Sequence, residues 1–262
     1  MTDTIRPLKP TLALALVQAR FQLTEAVRIP VSILMTLAAP CMGLLFFVIP
    51  QREVATNPDS ATQAVLALAI FGILANSLFH FAVEVAQARE RPWGSYTRSL
   101  PTTETARIVS YLISSGILAL GSVLPLALLA AFTTEARLSA IPAIGAVFSL
   151  ILTSVPFMLI GMIIGYSSGS KAAVALAQVL MLLLAFGGGL FLPPMIFPDW
   201  LNAISLTLPS RSALEIVTWA AGFADGLPVA GLVGWVAWTA LTFLTTVLLV
   251  KRDTDREYRL SA

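Results

Sequence analysis

Charge is what this chain has least of. Only 11% of its 262 residues are Asp, Glu, Lys or Arg, where a soluble domain carries about 25%. With 57% hydrophobic residues and a mean hydropathy of +0.86, an ordinary soluble domain is excluded. Cysteine is nearly absent too: Cys41 alone excludes an intramolecular disulfide and a cysteine-based metal cluster. His80 is the single histidine, so the usual histidine metal sites cannot be built either, and no metal site is expected. No G-x-x-x-x-G-K-[ST] phosphate loop, G-x-S-x-G or H-E-x-x-H occurs, which argues against ATP hydrolysis on this chain and against the common hydrolase chemistries. A net charge of +2, with the basic residues clustered beside apolar runs, makes no nucleic-acid surface. These absences leave a membrane protein without enzymatic chemistry of its own.

The apolar runs are what is there. Six reach the roughly 20 residues needed to cross about 30 Å of hydrocarbon: Ile29–Ile49, Ala61–Val83, Ile108–Phe132, Ile141–Ile164, Ala172–Leu192 and Val229–Val250. Pro40, Pro125 and Pro156 fall inside them, where kinks are expected rather than breaks. Residues 1–11 lack an apolar stretch with a small-residue cleavage site, so the N-terminus is expected to be retained. Thr11 to Arg28 reads as an amphipathic helix in the headgroup plane, with Leu12, Leu16, Ala19, Leu23 and Ala26 on one face and Gln18, Gln22, Glu25 and Arg28 opposite.

Positive charge then orients the spans. Placing both termini inside puts Arg6, Lys9, Arg20, Arg28, Arg89, Arg91, Arg98, Arg107, Lys171, Lys251, Arg252, Arg256 and Arg259 in the cytoplasm and leaves Arg52, Arg137 and Arg211 outside. An even number of spans follows from the basic tail. The loop at 85–106 is the polar hinge of the chain: Pro92 suits a first helical turn, Trp93, Tyr96 and Leu100 share a face, Pro101 stops that helix, and Thr102 or Thr103 can cap the next. Between the fifth and sixth spans, Pro193, Pro194, Pro198 and Pro209 cut an apolar segment, 193–226, into pieces too short to cross. Short outer-face helices, dipping back or lying at the interface, are expected there. His80 and Glu84 stand one turn apart in the second span, as an interfacial pair or a polar relay. Gly161-x-x-x-Gly165 allows close helix packing.

The order of these features resembles the membrane subunit of an ABC-2 type exporter. It rests on the amphipathic N-terminal helix, the six spans, Glu90-Arg91-x-x-Gly94-x-x-x-x-x-Leu100-Pro101 in the first cytoplasmic loop, and Leu192-Pro193-Pro194-x-x-x-Pro198-x-Trp200-Leu201 after a Gly-rich span. Within that family the chain is most similar to bacterial drug-resistance permeases of the daunorubicin type, over nearly its whole length. The resemblance implies an all-α membrane protein of the type V exporter kind: an N-terminal region 1–28, a six-span domain 29–250 and a cytoplasmic tail 251–262, in the bacterial plasma membrane. It implies a half-transporter paired with a second, identical or homologous, membrane subunit over two ATPase subunits, which bind ATP and Mg; this chain holds no cofactor. Glu90, Arg91, Gly94 and Pro101, with Trp93, Tyr96 and Thr97 beside them, would form the surface coupled to the ATPase. Phe71, Asn76, Phe79, Gln178, Met181 and Phe186 would line the path, closed outside by Phe191, Leu192, Pro193, Phe197 and Trp200. The apolar and aromatic lining suits efflux of amphipathic small molecules such as drugs; export of lipid or lipid-linked glycan is the alternative. A stand-alone secondary carrier would need inverted repeats and midplane charges, neither of which is visible, and a non-transporting scaffold is the third class.

Overall fold

The computed structural model describes residues 11–28, 38–90 and 104–261. Its helices are α1 (Thr11–Arg28), α2 (Ala38–Val48), α3 (Arg52–Ala55), α4 (Pro58–Glu90), α5 (Glu104–Thr133), α6 (Ala140–Ser167), α7 (Ser170–Gly187), α8 (Asp199–Ser205), α9 (Pro209–Ala220) and α10 (Val229–Ser261), with a 3-10 turn at Pro194–Ile196. No strand occurs among the described residues, as the sequence predicts. Five helices, α4, α5, α6, α7 and α10, are long and apolar enough to cross a membrane. The first expected span falls partly on residues 29–37, outside those described, and α2 alone is too short to cross.

Helix α4 is the centre of the bundle. Of its most apolar window 72% is buried, against 11% for α10 at the rim, and α5, α6, α7 and α9 all pack on it. Its closest partner is α6, and the reason is the pair of glycines noted above. A Cβ on Gly161 would lie 2.9 Å from the Leu78 carbonyl oxygen, and one on Gly165 would lie 2.6 Å from Val85 Cβ. In lipid, where no hydrophobic force drives helices together, such close backbone approach supplies the van der Waals attraction.

Pro156 lies inside α6 without breaking it. A proline deprives the carbonyl four residues earlier of its donor. That carbonyl belongs to Leu152, and the indole Nε1 of Trp235 on α10 donates to it at 3.1 Å. The neighbour thus repairs the ladder that the proline opens.

Two expectations need correcting. Helix α7 stops at Gly187 rather than Leu192. Leu190 N–H donates to the Ala185 carbonyl at 3.0 Å, Gly189 N–H donates to that of Phe186 at 3.3 Å, and Gly189 takes φ of +81°. This paired closure requires a left-handed residue, which glycine adopts without penalty. Helix α1 turns one residue of its expected polar face toward the protein. Ala15 and Ala19 are buried against α5, and Gln22, expected on the outer polar face, faces the protein: its Nε2 donates to Ser110 Oγ at 3.4 Å and its Oε1 accepts from Ser114 Oγ at 2.6 Å. Small residues let the helices close up, and two serines one turn apart satisfy one amide. Leu12 and Leu16 of the expected apolar face are exposed, as is Phe21.

The long helices alternate in direction. Gly165 near the end of α6 and Asp253 on α10 both meet Arg89 at the end of α4, whereas Glu135 after α5 bonds Ala55 before α4. One end of the bundle is therefore marked by Arg89 and the other by the short segments between α7 and α10.

Candidate functional site

At the end away from Arg89, α7 delivers Phe186 and its closing turn delivers Phe191. Phe191 is the hub of four rings: its centroid lies 4.7 Å from Phe71 of α4, 5.0 Å from Phe186 and 4.9 Å from Phe47 of α2, the last pair stacked. Such tilted and offset pairs contribute about 0.5–1.5 kcal/mol each beyond the area they bury. The cluster runs from the interior, where Phe71 is 5% exposed, to the surface, where Phe186 is 43% exposed. Of the expected path and closure residues, these three are brought together. Phe47 was missed by sequence reasoning; its only signal was a Phe pair ending the first apolar run.

The remaining expected residues divide. Asn76 and Met181 are buried within the subunit, and Phe79 is half-buried against the core. Gln178 stands exposed on α7, flanked by exposed Val174, Leu176, Val179 and Leu182. Leu192 and Trp200 are exposed, Pro193 likewise, and Phe197 is half-buried. The prolines act as expected: Pro209 opens α9, Pro198 precedes α8 and Pro194 opens the 3-10 turn. Tight packing holds α9 on the end of α7, since a Cβ on Gly188 would collide with Ser210.

At the Arg89 end, four helices meet. Arg89 donates through Nε and Nη2 to Asp253, at 3.1 Å and 2.8 Å to Oδ1, and through Nη1 to the Gly165 carbonyl at 3.1 Å. Its guanidinium also lies 5.9 Å from the centre of the Tyr166 ring. Glu90 Oε1 accepts from the Ser170 N–H at 2.8 Å. The other expected coupling residues, Arg91, Trp93, Gly94, Tyr96, Thr97 and Pro101, lie outside the described residues. His80 stands edge-on to Phe81 in α4, half-buried like Glu84. Among the described residues, no three His, Cys, Asp or Glu side chains are grouped so as to hold a metal ion.

Comparison with known proteins adds to this geometry. A sequence model described as "ABC-2 type transporter" matches residues 12–221. The chain is also similar to the provisionally named transport permease YvfS of Bacillus subtilis (strain 168), with 25% identity over 173 residues, 64% of this chain and 71% of that protein.

Proposed function

We propose, from the premise that this chain belongs to the ABC-2 type transporter family, that it is the membrane subunit of an ATP-driven exporter of amphipathic small molecules. Two copies, or this chain and a homologue, stand side by side over two ATPase subunits that supply ATP and Mg chemistry. The observation that carries this reading is the outward side of α7. There Gln178 sits among apolar side chains, and the same helix ends in the Phe186–Phe191 contact. An amide facing hydrocarbon is costly, so this face suits a second subunit and the path between them better than lipid. Apolar and aromatic walls with a few neutral polar groups suit greasy, weakly charged molecules.

Six crossings with both termini in the cytoplasm fit the same reading. In support of it, Gln22 of α1 bonds α5 near its start, at the Arg89 end, whereas Phe47 of α2 meets Phe191 at the far end, so these two residues stand at opposite ends of the bundle. In a Cys41→Ser background, single cysteines replacing Ser60 and Ser139 should label from outside intact cells, and those replacing Ser99 and Ser261 only after permeabilisation. External labelling at position 99 would overturn the orientation.

Phe191→Ala removes three ring contacts at once and should loosen the outer closure. In inverted vesicles carrying the chain with its ATPase, wild type should accumulate at least one hydrophobic dye or drug in an ATP-dependent way. The variant should leak it faster and reorder preference among drugs, with expression unchanged. If a broad panel shows no ATP-dependent transport while deletion of the protein removes a lipid or glycan from the envelope, the lipid-exporter reading replaces this one.

A further inference from the structure

We propose that Arg89 and Glu90 form a junction that transmits displacement of the segment after α4 to α6, α7 and α10 together, and so to the Phe191 cluster; this rests on the exporter reading above. The two residues are the last of α4, directly before the loop expected to meet the ATPase. They act on opposite ends of the turn between α6 and α7. The Gly165 carbonyl belongs to the last turn of α6, where a helix leaves its acceptors without internal donors, and Arg89 supplies both a donor and a positive charge. Ser170 is the first residue of α7, where N–H groups are left over and a negative charge is favoured, and Glu90 supplies an acceptor and that charge. Two adjacent side chains of opposite sign therefore match the two helix ends they touch.

Asp253 completes the junction. It brings in α10, through a forked contact in which the Arg89 and Asp253 side chains are 28% and 17% exposed. A fork of this kind fixes orientation as well as distance, which a lone surface ion pair does not. Gly169 makes room for the Glu90 carboxylate, because a Cβ there would stand 2.8 Å from Glu90 Oε1.

The junction is joined to the aromatic cluster by two unbroken helices. From Arg89 back to Phe71 along α4 is about 27 Å at 1.5 Å per residue, and α7 runs from Ser170, which Glu90 holds, to Phe186. Movement of the α4 end has no slack to absorb it before Phe71 and Phe186, both of which touch Phe191. Arg89, Glu90 and Asp253 are positioning residues on this account: they touch no substrate.

The test reads motion at the far end. Met195, 95% exposed and four residues after Phe191 in the chain, is changed to Cys in a Cys41→Ser background, labelled with bimane, and the chain is reconstituted with the ATPase that co-purifies with it. Addition of ATP should change the bimane emission. Arg89→Ala should cut that amplitude at least about tenfold, with ATPase binding retained, and adding Asp253→Ala should cost little more, because both remove one junction. Ser170→Pro deletes both the N–H and the hydroxyl through which Ser170 bonds Glu90, at a position where proline suits a helix, and should cut the amplitude about threefold; it decides the matter if Arg89→Ala does not fold. Full amplitude in Ser170→Pro and in every folded Arg89 variant, or losses from Arg89→Ala and Asp253→Ala that multiply, would overturn the junction while leaving the exporter reading in place. A wild-type chain that recruits no ATPase, or shows no response to ATP, overturns the exporter reading and this inference with it.

Discussion

Gly165→Leu should separate α6 from α4 and cost the protein its fold. A Cβ at this position already meets Val85 Cβ at 2.6 Å and the Ala82 carbonyl oxygen at 2.9 Å. The second of these is backbone in the central helix, which cannot rotate away as a side-chain tip can. Overpacking a well-filled contact costs about 1–3 kcal/mol, occasionally more, and the upper end applies where a four-carbon side chain must displace a helix. The carbonyl held by Arg89 is that of Gly165 itself, so the junction is pulled apart as well. Thermal unfolding in detergent, followed by size exclusion, should show a clear fall in midpoint and little monodisperse protein. Gly121→Leu on α5 is the matched control: a Cβ there meets nothing within 4 Å, and the variant should behave like wild type. Equal stability of the two would mean that the α4–α6 contact does not hold the bundle together.

The second large effect should follow from Gly94→Trp, and it should leave the fold alone. Residue 94 belongs to the segment after α4 that the sequence reads as a short helix between Pro92 and Leu100. A glycine presents bare backbone to a docking surface, and an indole placed there would hold an ATPase subunit off by several ångströms. Co-purification of the ATPase should be lost, and ATP-dependent export should fall at least about tenfold, a barrier change of roughly 1.4 kcal/mol or more. Unfolding midpoints and expression should match wild type, since residue 94 lies outside the spans. Retained co-purification with normal export would take this segment out of the coupling mechanism.

The contrast between these two predictions shows where the sequence is a sufficient guide. Membrane character, helical class, the approximate windows of α4, α5, α6, α7 and α10, and the broken segment before α10 follow from hydrophobic run length and proline placement, because hydrocarbon demands about 20 apolar residues and internally satisfied backbone. The Gly161–Gly165 pair was legible for the same reason: small residues four apart must lie on one helix face. Which partner that face meets was not. Helix packing in lipid depends on shape rather than on a polarity pattern, so only the tertiary structure decided that α4 is central, that Gln22 turns inward to Ser110 and Ser114, and that Trp235 repairs the ladder opened by Pro156. The same holds for the site. Phe71, Phe186 and Phe191 were named from resemblance, but their convergence with Phe47 spans more than 140 positions of sequence, and no local spacing encodes it. Arg89 and Glu90 read in the sequence as charges on a cytoplasmic loop; their partners Gly165, Ser170 and Asp253 lie on three other helices, and only the folded bundle sets opposite charges against the two ends of one turn.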